Sequence, residues 1–244
     1  MTFEDWLSTA TKMDGSPLSA RTVKHYADGF RITSKEMFSA KVITKPLENM
    51  SLYELDLAIA LIMKDKSFID KDEVGNKMYS NALKRYRCFK YLNTDIGIQE
   101  AAEEAIVKND SHLTVTEKET IIKARIGQGT YRDRLIKKYN HSCIMTKVTI
   151  SQVLVASHIK PWVICNNKER TDVNNGLLLS ATYDRLFDSG LITFDKSGKL
   201  KISKLISKDN AQKLDLVAGT KYDIKYCKEM DNYIKYHNDV IFVG

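Results

Sequence analysis

The chain has 244 residues, of which 43% are hydrophobic and 28% are charged, and its formal net charge is +7. These values are ordinary for a globular protein that buries a substantial core. No apolar run reaches the roughly 18 residues of a membrane helix, so we do not expect a helical membrane protein. The excess of positive charge permits a polyanionic partner without requiring one.

The first 110 residues are predicted to form a mainly helical domain. The opening segment MTFEDWLSTA lacks a basic-then-apolar signal pattern, so we expect no export. Asp14-Gly15-Ser16-Pro17 predicts a turn, and Ser19 is placed to start a short helix after it. Ser51 and Glu54 have the spacing of a capping box ahead of an apolar segment, which predicts a further helix start.

The segment NKMYSNALKRYRCFKYL has apolar residues at helical spacing and predicts another helix. Its tyrosines are interpreted as core residues in preference to base-stacking groups. Its basic residues, among them Arg85 and Arg87, fall largely off the apolar stripe. Residues 111–126 are charged and are predicted to form a linker helix.

The pattern changes at Gly127 and Gly129, which precede a basic helix. The apolar, β-branched segment 152–157 predicts a buried strand, and NNGLLLS (174–180) predicts a turn and a second strand. A helix capped by Ser180 and stopped by Gly190 follows, and then a hairpin that turns at residues 195–198. Residues 127–206 therefore form a second predicted domain, and residues 207–244 a C-terminal helical extension that packs on it.

Polar residues collect at the junctions of this second domain. His158 follows the first strand, and Asn175 precedes the second. Asp184 and Asp188 are four residues apart on the helix, so both project from one face. Two carboxylates on one face repel each other, and a divalent cation such as Mg²⁺, which prefers oxygen ligands, reverses that repulsion. One histidine beside a carboxylate-held metal suits phosphodiester hydrolysis.

The basic residues are concentrated near this constellation. Between Lys123 and Arg170 there are ten lysines or arginines and two acidic residues. This distribution is compatible with a solvated basic face or with a phosphate-binding surface. The candidate phosphate contacts are Lys160, Arg170, Arg185, Arg132 and Lys137. Trp162, which follows Pro161, is interpreted as a packing anchor in preference to a wedge between bases.

The segment CIMTKVTISQVLVASHIKPW…RTDVNNGLLLSATYDRLFDSGLITFDKSGKLKIS resembles the HNH, or ββα-metal, nuclease domain. The version found in bacterial restriction endonucleases is the most similar. GQGTYRDRLIKKY and YIKYHNDVIF resemble the flanks of that same group. The resemblance implies a two-stranded ribbon and a helix around one metal ion, and thus an α+β protein with a helical N-terminal domain for DNA recognition or dimerisation.

The resemblance also implies roles for single residues. His158 corresponds to the general base, and Asn175 to the asparagine that orients it. Asp184 stands where the last histidine of the HNH name often stands, which binds metal, and Asp188 corresponds to a further ligand. Ser157 stands where many members have an acidic or histidine ligand. Aspartate at the third position favours one Mg²⁺ or Mn²⁺ per site over zinc or nickel.

The four cysteines form no CxxC pair, so we expect neither a zinc site nor a disulfide framework, and a reducing cytoplasm is the expected compartment. The predicted function is that of a type II restriction endonuclease, which cleaves double-stranded DNA as a homodimer and works beside a cognate DNA methyltransferase. Two alternatives stay open. One is a modification-dependent or nicking nuclease, and the other is a non-catalytic DNA-binding protein on a degraded nuclease fold.

Overall fold

The computed structural model describes residues 1–12, 14–125 and 129–244. The chain is a mixed helix–strand protein. Its N-terminal part contains helices α1 (Phe3–Thr9), α2 (Ala20–Ser39), α3 (Leu52–Ile62), α4 (Lys66–Val74), α5 (Met78–Leu92), α6 (Ile96–Asn109) and α7 (Val115–Arg125). Within the described residues, no helix combines the length and apolar character that a membrane crossing requires.

Side-chain caps start these helices where the sequence predicts them. Ser51 accepts a hydrogen bond from the Glu54 backbone N–H at 3.3 Å, and the Glu54 carboxylate accepts one from the Ser51 N–H at 2.8 Å. Ser19 caps α2 in the same way, through the N–H of Thr22. Helix α2 is longer than the short helix predicted there, because it continues through Asp28-Gly29, where Gly29 is buried against Met78 of α5.

Helix α5 lies in the middle of the helical part and packs against α2, α3 and α4. Its predicted apolar stripe is present, with Ala82, Leu83 and Tyr86 buried. Arg85 and Arg87 are nevertheless buried as well, although they lie off that stripe. Residues off an apolar stripe are exposed only where the opposite helix face meets water, and α5 is covered on both faces.

The second half contains α8 (Gly129–Lys138), β1 (Leu154–His158), α9 (Asn167–Thr171), β2 (Gly176–Ser180), α10 (Ala181–Asp188), β3 (Ile192–Phe194) and β4 (Leu200–Ile202). The predicted Gly127 lies outside the described residues. Strand β1 begins two residues later than predicted because residues 151–153 form a 3₁₀ turn.

Two antiparallel ribbons form here, one from β1 and β2 and the other from β3 and β4. In the first ribbon His158 lies opposite Gly176, and Leu154 lies opposite Ser180. The second ribbon is the predicted hairpin. Helices α8 and α10 both pack against the first ribbon, which explains why β2 reads as a continuous apolar run.

Two glycines are required by close approaches in this half. A Cβ at Gly176 would lie 2.5 Å from the Tyr131 hydroxyl, so helix α8 approaches β2 directly at this point. Gly190 has a φ of +79°, and a Cβ there would meet the Ile241 carbonyl oxygen at 2.2 Å. Gly190 therefore ends α10 as predicted and admits the C-terminal segment beside it.

The C-terminal segment contains α11 (Lys208–Lys213), α12 (Asp231–Tyr236) and a π-helical turn at His237–Ile241. Tyr233 and Ile234 pack in the core of the second half, whereas Val240 and Ile241 pack in the core of the helical part. The segment thus ties the two cores together. A third, smaller cluster joins Trp162 to Val107 of α6 and Ile121 of α7, which confirms the packing role of Trp162.

His237 is a buried structural histidine at this junction. Its Nε2 bonds to the Phe187 carbonyl oxygen at 3.1 Å and its Nδ1 to the Thr193 hydroxyl at 2.8 Å. Its ring stacks on Phe187 with 3.8 Å between centroids. Because a carbonyl only accepts, Nε2 donates, and in the neutral ring Nδ1 then accepts from the Thr193 hydroxyl. Burial lowers the pKa of His237 to about 3.

We expect His237 to make the protein less stable in acid. Its folded pKa lies below the ordinary value of 6.5, so the unfolded chain takes up the proton first. The stabilisation is complete above pH 6.5 and is lost as the pH falls toward 3, at up to about 1.4 kcal/mol per pH unit. Urea unfolding of the wild type and His237→Gln at pH 7 and pH 5 measures this. The free-energy gap between the two proteins should shrink by about 2 kcal/mol at pH 5, and an unchanged gap would contradict the assignment.

Candidate active site

The first ribbon and the elements packed on it carry the predicted catalytic residues. His158 ends β1, and α10 begins directly after β2 and packs against both strands. The hydroxyl of Ser157, which is buried, lies 3.5 Å from Oδ1 of Asp188 and donates to it. The neighbour of His158 on β1 therefore contacts the carboxylate at the end of α10.

His158 is held on two sides. Its ring stacks on the ring of Tyr131, with 4.6 Å between centroids and 10° between planes. Its Nε2 lies 3.0 Å from the carbonyl oxygen of Arg170. A carbonyl oxygen only accepts hydrogen bonds, so Nε2 carries the proton and, in the neutral ring, Nδ1 carries the lone pair. The contact thus selects the tautomer in which Nδ1 is the basic nitrogen.

Asn175 is completely buried and bonds to the loop that follows β1. Its Oδ1 accepts from the N–H of Lys160 at 2.9 Å, and its Nδ2 donates to the carbonyl oxygen of Glu169 at 3.3 Å. The next carbonyl along the chain, that of Arg170, is the one that bonds His158. Asn175 therefore fixes the loop that orients the imidazole, and its own amide does not bond to the ring.

Asp184 and Asp188 both lie near a tyrosine of the helical part. The Tyr91 hydroxyl is 3.4 Å from Oδ2 of Asp188 and donates to it. Burial raises the pKa of Tyr91, and the negative charges of Asp188 and Asp184 raise it further. The phenol consequently keeps its proton at neutral pH and remains a donor. Asp188 thus bonds to a side chain from α5, and Asp184 lies near enough to raise the pKa of the same phenol.

Four of the five predicted phosphate contacts bond within the protein. Lys160 forms an ion pair with Glu169 at 2.7 Å, and both side chains are largely buried. Arg132 donates to the backbone carbonyls of Leu154 and Ser151 at 2.9 and 2.8 Å. The Lys160–Glu169 pair stabilises the loop that follows β1, and the bonds of Arg132 stabilise the start of β1.

Arg170 lies with its guanidinium 4.0 Å over the ring of Trp162 and donates to the Trp162 carbonyl oxygen. Arg185 lies 4.3 Å over the ring of Tyr91 and donates to the Tyr91 carbonyl oxygen at 3.2 Å. Lys137, on α8, is exposed to solvent. Of the five predicted phosphate contacts, Lys137 is the one whose surroundings are mainly water.

Three residues of the site were not singled out by the sequence. Tyr131 lies in the glycine-flanked segment GQGTYRDRL, and nothing in that segment predicts its stacking on His158. Tyr91 and Arg87 come from α5, where they follow the pattern of an ordinary packed helix. Arg87 donates to the backbone carbonyl of Asp188 at 2.7 Å. No local signal marks these two residues, because their partners lie about 100 residues away along the chain.

The comparison with known families agrees with this geometry. Residues 143–195 match the family model of the HNH endonuclease. The matched segment, named the HNH segment below, includes both strands of the first ribbon, helix α10 and the residues from His158 to Asp188. It spans less than a quarter of the chain. No curated protein matches the chain. The predicted HNH domain is confirmed for this segment.

The side chains of the HNH segment offer few metal ligands. Among the described residues, no group of three or more His, Cys, Asp or Glu side chains is arranged to hold a metal ion. The carboxylates that α10 contributes are those of Asp184 and Asp188. Mg²⁺ is commonly held by one or two carboxylates, with water and substrate phosphate oxygens completing its shell. The donor set therefore fits a hard divalent cation that is held partly by substrate. Ser157, turned toward Asp188, supports that carboxylate.

Proposed function

We propose that the chain is a metal-dependent, site-specific DNA endonuclease of the type II restriction kind. The observation that carries the proposal is the placement of His158. Its Nε2 bonds to the Arg170 carbonyl oxygen beside the carboxylate-bearing helix of an HNH segment. A histidine held in that tautomer presents a basic nitrogen, and the adjacent carboxylates suit a cation that binds phosphate.

In the proposed reaction, Nδ1 of His158 accepts the proton of the attacking water. A histidine is suited to this step because its ordinary pKa is close to neutral pH. The proton it receives makes both ring nitrogens donors, and the carbonyl of Arg170 continues to accept from Nε2. Stacking on Tyr131 keeps the plane of the His158 ring fixed, so the ring does not have to reorient when it accepts the proton.

Asp184 and Asp188 would hold Mg²⁺ or Mn²⁺, one per active site. When bound, such an ion stabilises negative charge on the phosphate and on the leaving oxygen. Arg185 lies on the same helix and adds a positive charge close to these carboxylates, although its side chain is turned toward Tyr91. Lys137 is the candidate for a direct contact with the DNA backbone, since it is exposed.

Cutting both strands of a duplex requires two hydrolytic events. One site per chain therefore favours a homodimer, with the helical N-terminal part in recognition or dimerisation. A restriction enzyme also requires a cognate DNA methyltransferase that protects the host genome. The homodimer and the methyltransferase are both consequences of a restriction-type function. The digestion experiment for that function therefore also bears on them.

The function is tested by digestion of unmethylated phage DNA with the purified protein, in Mg²⁺ and in EDTA. We expect discrete fragments in Mg²⁺ and intact DNA in EDTA. A smear would retain the nuclease and contradict site specificity. Cutting restricted to methylated DNA would indicate a modification-dependent enzyme, and single-strand breaks alone a nicking enzyme. Binding without any cleavage would favour the non-catalytic DNA-binding protein.

A further inference from the structure

Helix α5 of the N-terminal part holds Asp188 at two points. The hydroxyl of Tyr91, a residue that is 6% exposed, donates to Oδ2 of Asp188 at 3.4 Å. One turn earlier on the same face, Arg87 donates through Nη1 to the backbone carbonyl of Asp188 at 2.7 Å. Both the side chain and the backbone of this aspartate are therefore bonded to a helix that lies outside the HNH segment.

Arg87 is itself fixed in place. Its Nε and Nη2 bond to the two carboxylate oxygens of Asp56 on α3, at 2.6 and 3.1 Å, and both side chains are buried. A bidentate pair of this kind fixes the orientation of the guanidinium as well as its position. The third nitrogen of the fork, Nη1, then points at the end of α10. The helical part thus presents a rigid donor to Asp188.

A second hydroxyl reaches the same carboxylate from the opposite side. Ser157 of β1 donates to Oδ1 of Asp188, while Tyr91 donates to Oδ2. One donor on each oxygen limits rotation of the carboxylate about its last side-chain bond. Each carboxylate oxygen has two lone pairs, so a hydroxyl donor on each is compatible with a cation at the same group.

We propose that Tyr91 is a positioning residue for the cation site, acting through Asp188, with Arg87 as its backbone counterpart. The proposal rests on the proposed function, in which Asp188 is a cation ligand. It makes the nuclease site composite, with the ribbon supplying His158, α10 supplying the carboxylates and α5 supplying groups that orient Asp188. Groups that orient a ligand commonly change metal affinity or activity 10–100-fold when they are removed.

The test is the affinity of the full-length protein for Mn²⁺, measured by electron paramagnetic resonance without DNA. Tyr91→Phe removes only the hydroxyl and keeps the ring under Arg185. We expect it to bind Mn²⁺ about 10-fold more weakly than the wild type. Tyr86→Phe is the matched control, because Tyr86 is a buried tyrosine of the same helix that packs on Phe30. It should bind Mn²⁺ as the wild type does. Ser157→Ala, which removes the other donor, should weaken binding as Tyr91→Phe does.

A double-variant cycle separates positioning from general damage to the fold. In an Asp188→Asn background, Tyr91→Phe should cause no further loss of Mn²⁺ affinity, because the group it orients is no longer a carboxylate. Wild-type affinity in Tyr91→Phe would overturn the proposal, and so would an equal loss in both backgrounds. A wild type that binds no Mn²⁺ would overturn it together with the cation site. A wild type that binds Mn²⁺ without cutting DNA would contradict the proposed function and leave the positioning role standing if the cycle holds.

Discussion

His158→Ala should lower the rate of DNA cleavage by ~10²–10⁴-fold, the usual contribution of a general base, and leave DNA binding unchanged. The loss is expected in the rate at saturating DNA, because the imidazole acts on the water and not on the phosphate backbone. Single-turnover cleavage in Mg²⁺ measures the rate, and a gel-shift titration in Ca²⁺ measures the affinity. His25→Ala is the control, since His25 is exposed on α2.

Two results would contradict this role of His158. One is a variant that cleaves at a rate within a few-fold of the wild type. The other is an equal loss in His25→Ala, which would point to a general effect of histidine removal. The stacking of His158 on Tyr131 supplies a further check, because His158→Ala leaves space beside a buried ring. Urea unfolding should therefore accompany the kinetics, so that a loss of rate is not a loss of folded protein.

Arg87→Ala should destabilise the protein by about 3–5 kcal/mol, the largest stability effect that we expect from the removal of one buried charge. The substitution leaves the buried carboxylate of Asp56 without its partner and removes the bond to the carbonyl of Asp188. The free energy of unfolding in urea measures it. Lys213→Ala is the control, because Lys213 pairs with Asp209 on an exposed helix face, where such pairs contribute little.

The pair itself is tested by removing both charges. Asp56→Ala combined with Arg87→Ala should destabilise the protein less than the sum of the two single changes, since no unpaired charge stays buried. An additive result would show that the two side chains do not interact in the folded state. A loss of less than about 1 kcal/mol in Arg87→Ala would contradict the buried ion pair.

The parts of the fold that the sequence predicts well depend on neighbours along the chain. The capping box at Ser51 and the cap at Ser19 are local hydrogen bonds, and the stop at Gly190 is a local backbone requirement. The order of strand, loop, strand and helix around His158 was likewise predicted from turn signals and apolar runs. The HNH segment could be recognised because its motif is compact and lies within 53 residues.

The parts that could not be predicted depend on partners distant in sequence. From the sequence, Lys160 is predicted to contact phosphate. Its ion pair with Glu169 depends on the conformation of the loop that Asn175 holds in place, which the sequence does not reveal. In the sequence, Tyr91 is one of several aromatic residues on a packed helix, and nothing distinguishes it from the others. Its bond to Asp188 joins residues 97 positions apart, and periodicity carries no information about such contacts. The HNH segment could thus be recognised from the sequence, whereas the groups outside it that contact its residues could not.

A single time course tests the central claim, that His158 and the carboxylates of α10 form a metal-dependent nuclease site. Wild-type protein is first assembled on unmethylated phage DNA in the absence of metal, and Mg²⁺ is then added. We expect intact, bound DNA before the addition and cleavage after it. DNA that stays bound but uncut after Mg²⁺ or Mn²⁺, or that is cut before either is added, would contradict it.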